Sequence, residues 1–286
     1  MKSIKSLRSF GPAFVGATLF ALLNGSTVMA ASSQESFGTE SWSSESLIGD
    51  PQETDDTSVS SSAQPTTKLE DDASAWTVSI LGSASWSKAN VTDPTVDGKA
   101  LRLTMSNATN DSEVSALRET GARSSVGAYT FATAFQVRDN QLLGSPVQDE
   151  FVLGFVRSDS GNTARAFLKW IPLDTKGNGM WYVYDPNMAE QWRSLNVRAT
   201  YLTGTYYTLS FDANVSCTMV QYKKLILNGT AYTFSTSAGI IPSPNEVNRV
   251  QASATLVANN AADGFVLYLD GMSLTSKSTK TVICTP

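Results

Sequence analysis

Histidine is absent from the 286 residues, which excludes a Cys/His zinc centre. Cysteine is nearly absent: Cys217 and Cys284, both in the last third, are the only two. In an oxidising compartment one bridge between them would pin the C-terminal tail to a strand. Basic charge is scarce and scattered. The formal net charge is -5 and no Lys/Arg stripe occurs, which argues against a nucleic-acid partner, since such binding draws on clustered cations facing phosphate. Long apolar runs are also missing. The longest, Phe14 to Leu23, is about half of the roughly 20 residues that cross a bilayer as a helix, so no transmembrane segment is expected. No long stretch shows helical spacing, and no fixed repeat suggests a propeller or solenoid.

What is present divides the chain in three. Residues 1–30 carry Lys2, Lys5 and Arg8, then the apolar stretch, then the small residues Val28-Met29-Ala30-Ala31. That is the pattern of an export signal cleaved after Ala30, and it implies a secreted protein, or a periplasmic one in a bacterium. Residues 31–73 are mostly Ser, Thr, Asp, Glu, Gln and Pro. With so little apolar surface to bury, they cannot offset their ordering entropy and read as a disordered tether. Residues 74–286 suit one domain.

In that domain apolar residues alternate with period two. Tyr129, Phe131, Thr133, Phe135 and Val137 share one face of a strand, against Thr130, Ala132, Ala134 and Gln136. Comparable strands are expected at 100–105, 151–156, 164–170, 180–184, 206–211, 219–227, 231–234, 250–257 and 265–269. Asn228-Gly229 marks a two-residue hairpin turn, because both residues tolerate positive φ. About a dozen such strands exceed an immunoglobulin-like sandwich and suit an all-β, two-sheet antiparallel jelly roll.

Four segments resemble, in order, those of the concanavalin A-like jelly rolls, the superfamily of legume lectins, laminarin-type glucanases and several polysaccharide lyases. Ser115-Ala-Leu-Arg-Glu-Thr-Gly121 precedes Val126-Gly-Ala-Tyr-Thr-Phe131, which is similar to a YGxYxxR strand of family 16 glycoside hydrolases. Asp149-Glu-Phe-Val-Leu-Gly-Phe155 falls where those enzymes keep a DEIDFEF-like strand. Tyr201 to Phe211 resembles the strand entering their late hairpin, and Gly264 to Leu274 a closing YxDxVxL strand. The resemblance implies a sandwich acting on or binding a polysaccharide or other glycan.

The departures limit the chemistry that this resemblance implies. A retaining glycosidase needs two carboxyl groups about 5 Å apart. Glu150 matches the first acid of the family 16 strand, but Val152 and Gly154 occupy its next same-face positions. A hydrolase of this type would need its second carboxylate from another strand. Ser115-Ala-Leu-Arg-Glu119 also resembles the RxELRE strand of family 7 alginate lyases, without its first Arg and without the Gln-x-His strand of those enzymes. A lyase would use Arg118 or Arg165, with Lys169, to neutralise a uronate, and Tyr182 or Tyr184 as acid and base. Alternation places Arg165, Phe167 and Lys169 on one strand face.

The aromatic stretch from Trp170 to Trp192 offers flat surfaces on which sugar C–H faces stack. Trp181 and Val183 must point opposite to Tyr182 and Tyr184, so one set is buried. The expected exposed platform is Tyr182, Tyr184 and Trp192, with Glu150 and Arg165 as polar partners. Asp93, Asp97, Asp263 and Asp270 lie at turns or strand ends, where a structural calcium would find oxygen ligands. With its acid strand interrupted, the protein is expected to be a non-catalytic, lectin-like binder using the concave sheet. A polysaccharide lyase and a cell-surface or host-interaction protein are the alternatives.

Overall fold

The computed structural model describes residues 68–121, 126–139, 143–159, 161–243, 246–259 and 264–277. The expected export signal, most of the tether, Asp263 and Cys284 lie outside the described residues. Among the described residues no helix is long and apolar enough to cross a membrane.

Among the described residues, fifteen strands follow one 3-10 turn at Ala73–Ala75. They are β1 (Trp76–Leu81), β2 (Ser85–Val91), β3 (Ala100–Ser106), β4 (Glu113–Glu119), β5 (Gly127–Asp139), β6 (Glu150–Ser158), β7 (Asn162–Pro172) and β8 (Asn178–Tyr184). After these come β9 (Trp192–Thr200), β10 (Tyr206–Val215), β11 (Met219–Leu227), β12 (Thr230–Gly239), β13 (Ile241–Pro242), β14 (Arg249–Val257) and β15 (Phe265–Ser276). All ladders are antiparallel, in two sheets. Sheet A has the order β1-β4-β14-β6-β7-β8-β9, with β13 on β7, and sheet B the order β12-β11-β10-β5-β15-β3-β2. This is the two-sheet jelly-roll sandwich that the alternation and the concanavalin A-like resemblance imply.

The core forms where the inward rows of the two sheets meet. Phe135 and Tyr207 of sheet B pack with Phe151 and Trp170 of sheet A around Tyr201, whose ring centroid lies 5.3 Å from that of Phe135 and 5.2 Å from that of Trp170. Gly179 makes room for this cluster, since a Cβ there would lie 2.3 Å from the Trp170 ring. Asn228 and Gly229 form the β11–β12 turn with φ of 47° and 80°, as their tolerance of positive φ requires.

Packing extends N-terminal to Ser74, into the segment expected to be tether: Leu69, Glu70 and Ala73 are buried. The Leu69 carbonyl accepts from Trp76 Nε1 at 3.0 Å and also from the Arg118 guanidinium. The Glu70 carboxylate accepts from the Met272 N–H at 2.9 Å. A single leucine in an acidic segment carries too little periodic signal to distinguish it from tether.

Tyr222 ties the two sheets together. It projects from β11 to β7, where its hydroxyl accepts from the Phe167 N–H at 3.1 Å. The same hydroxyl faces the carbonyls of Arg165, Phe167 and Tyr184 at 3.3–3.4 Å. That fixes the backbone of β7 and β8 at the point from which the outward side chains of sheet A emerge.

Candidate functional site

The face of sheet A that points away from sheet B collects most of the anticipated residues. Phe151, Leu153, Ala166, Leu168, Trp170, Trp181 and Val183 point into the core, so their sequence neighbours Glu150, Val152, Phe167, Lys169 and Tyr182 point outward. Register then groups them into rows. Ser115, Thr255, Val152, Lys169, Tyr182 and Ser194 form one unbroken row across six strands. Glu113 and Glu150 both pair with Val257 and bracket it in the next row.

Lys169 joins these rows. Its ammonium is ion-paired with Glu150, with both side chains largely excluded from solvent, and lies 5.4 Å from the centroid of the Trp192 ring. Tyr182 and Trp192 are partly exposed. Hydroxyls complete the surface, with Ser115 Oγ and Thr255 Oγ1 2.9 Å apart.

Glu113 is the residue that the sequence did not single out. Burial pushes its carboxyl up to about 8, Glu150 and Asp111 add to the rise, and Lys169 opposes it. Its Oε2 is buried with no hydrogen-bond partner. Its strand was visible in part in the Ser115-to-Glu119 segment, and extending the alternation of Ser115 and Leu117 back by one step is the signal that could have found it.

Two anticipated roles need correction. Arg118 faces inward, and its guanidinium donates to the carbonyls of Leu69 and Asp72. It anchors the N-terminal segment and takes no part in the outward face. Tyr184 does point outward with Tyr182, yet it is only 2% exposed. Trp192 stands edge-on to it at 5.6 Å, Phe167 packs at 6.0 Å, and the Arg165 guanidinium lies 5.8 Å from its centroid. The partly exposed aromatic rings of this group are therefore Tyr182 and Trp192, with Tyr184 packed beneath them. Arg165 is buried, and desolvation lowers its guanidinium from the ordinary value while Tyr184 opposes the drop.

Gly154 explains the interrupted acid strand. It lies opposite Phe167 on β7, and its backbone runs so close that a Cβ would be 2.1 Å from the Ala166 carbonyl oxygen. No carboxylate fits at that position.

A second cluster lies where the N-terminal segment meets β15. Carboxylate oxygens of Glu70, Asp97 and Asp270 fall within 4.8 Å of one another. Glu70 and Asp270 are fully buried. The Glu70 Oε1 and Asp270 Oδ1 atoms have no hydrogen-bond partner. The other Asp270 oxygen accepts from Thr95 Oγ1 at 2.7 Å and from the Val96 N–H. Burial raises the carboxyl of Glu70, whereas a hydrogen bond from Lys68 lowers that of Asp97. Unpartnered carboxylate oxygens at this spacing fit a hard cation such as calcium. Asp97 and Asp270 were anticipated for this role, Asp93 is exposed and outside the cluster, and Glu70 was not anticipated because it fell in the expected tether.

No family model matches the chain, and no curated protein matches it. Among solved structures, the chain has similarities at low identity. The alginate lyase Aly36B is 16% identical, with a TM-score of 0.42, over 65% of this chain and 83% of that one. The potassium-bound carbohydrate recognition domain of Emp46p is 13% identical, with a TM-score of 0.41, over 76% of this chain and 97% of its own. The catalytic domain of a GH131 β-glucanase from Podospora anserina is 12% identical, with a TM-score of 0.41, over 68% and 81% of the two chains.

Proposed function

We propose that this is an exported glycan-binding protein whose binding face is the outward surface of sheet A, centred on Lys169, Tyr182 and Trp192. The observation that carries the reading is one juxtaposition. Two partly exposed aromatic rings stand beside a Glu–Lys pair and the hydroxyls of Ser115, Ser194 and Thr255. Sugars need that combination, with rings for their C–H faces and fixed donors and acceptors for their hydroxyls.

The two anticipated cations on this face are already engaged, Lys169 by Glu150 and Arg165 by Tyr184. Arg118 points the other way. A uronate would have to displace one of these contacts, so the arrangement favours a neutral glycan and weakens the lyase alternative. The exposed large apolar residues, such as Trp86, Val96, Leu143 and Val247, lie outside the outward rows of sheet A, so this face is not the apolar patch that a protein partner would select.

The test is retention on insoluble or immobilised polysaccharides. The Tyr182→Ala/Trp192→Ala double variant should lose at least tenfold in affinity while keeping its circular dichroism spectrum. Undiminished retention would move the site elsewhere. Two supporting features belong to the same proposal. Glu70, Asp97 and Asp270 would hold a calcium ion that fastens the N-terminal segment to the closing strand. A Cys217–Cys284 bridge, formed after export, would fasten the C-terminal tail.

A further inference from the structure

We propose that Glu113 and Glu150 are an acid–base pair that hydrolyses a glycosidic bond of the glycan held on this face. The inference rests on the glycan-face reading and goes beyond it, because binding alone gives Glu113 no role. The absence of a second acid on β6 is what argued against hydrolysis in the sequence. The fold supplies that acid from β4.

The geometry begins with Val257. Glu113 and Glu150 are its register partners on the two sides of β14, so both carboxyls rise from the same face of the sheet. Two strand spacings of about 4.8 Å put their backbones roughly 10 Å apart. Inverting glycosidases keep their two carboxyls about 6.5–9.5 Å apart, which leaves room for a water molecule, and side chains that lean toward each other from backbones about 10 Å apart can reach that separation. Val257 lies between them on the sheet and is buried.

The two carboxyls also have unlike surroundings, as proton donor and proton acceptor must. Glu150 is ion-paired with Lys169, which suits a carboxylate that accepts a proton. Glu113 has no cation within ion-pairing distance among the described residues, and its Oε2 is buried and unpartnered. Burial also holds its proton on through neutral pH.

The step balances with water as the co-reactant. Glu113 gives its proton to the glycosidic oxygen as the bond from that oxygen to the anomeric carbon breaks. Water attacks the anomeric carbon from the opposite side, and its proton passes to Glu150. The products are a new reducing end and a free hydroxyl, with inverted anomeric configuration. Proton return from Glu150 to Glu113 through solvent restores the starting state.

The experiment uses the full chain with soluble β-glucan, xylan, mannan, alginate and pectate, and follows retention, reducing ends and the ultraviolet absorbance of a new double bond. The expected result is reducing ends from at least one retained neutral polymer, without that absorbance. Activity should fall as pH rises past about 8. Glu113→Gln, which mimics the neutral acid in shape, should lower the rate about 10²- to 10⁴-fold and change retention by less than twofold. A polymer that is retained but never cut, or cut equally well by Glu113→Gln, overturns the pair and leaves the glycan face standing. New absorbance would mean elimination and overturn hydrolysis. Retention of none of the polymers overturns both proposals.

Discussion

Replacing Glu113 with Gln should remove a pH dependence from the stability of the domain. Burial raises this carboxyl from an ordinary 4.5 to about 8. Between those values the folded protein binds a proton that the unfolded chain has released, so wild-type stability falls as pH rises. The penalty is absent below about 4.5 and complete above about 8. Each pH unit across the window is worth about 1.4 kcal/mol, which bounds the effect at roughly 5 kcal/mol. Water reaching the ionised group would reduce it to about 2 kcal/mol or more. Urea unfolding at pH 5 and pH 9 measures it, with the variant cancelling every other titration. The variant should gain at least about 2 kcal/mol over wild type between the two pH values. Parallel pH profiles would show that Glu113 is hydrated and would refute the reasoning.

Three further outcomes follow from the packing. Gly154→Ala should cost about 3 kcal/mol or more in thermal unfolding, because the new Cβ would meet the Ala166 carbonyl at 2.1 Å; a melting temperature unchanged from wild type would contradict that close approach. Tyr222→Phe should cost about 1 kcal/mol by removing the hydroxyl that bonds the Phe167 N–H and faces three carbonyls of β7 and β8, and a variant as stable as wild type would contradict that tie between the sheets. Calcium at a hundred times its Kd should add about 2.7 kcal/mol of stability to wild type, and nothing to a Glu70→Gln/Asp270→Asn variant; equal gains in both would place the ion elsewhere.

Much of the sandwich was legible because alternation is a strong signal where one face of a strand is buried. Tyr129 to Val137 lies within β5, and 219–227 coincides with β11. Alternation did not yield β1, β2, β4, β9 or β13, and two of these share one reason. β2 and β9 are edge strands with few buried residues, so little selects an apolar pattern there. The outward grouping of Arg165, Phe167 and Lys169 followed from period two alone. Which of those residues water reaches did not, because the closeness of Trp192 to Tyr184 depends on the β8–β9 pairing. Glu113 stayed hidden for a related reason: it stands beside Glu150 only through β14, more than a hundred residues further along the chain. Glu70 was lost to the low apolar content around it, although its carboxylate meets β15 at Met272.

The central claim is that the outward face of sheet A holds a glycan, and hydrogen–deuterium exchange of the full chain with and without a retained polysaccharide tests it most directly. Protection should appear in β6, β7, β8 and β9, around Glu150, Lys169, Tyr182 and Trp192, with sheet B unchanged. Protection confined to sheet B, or to the loops beyond these strands, would contradict it.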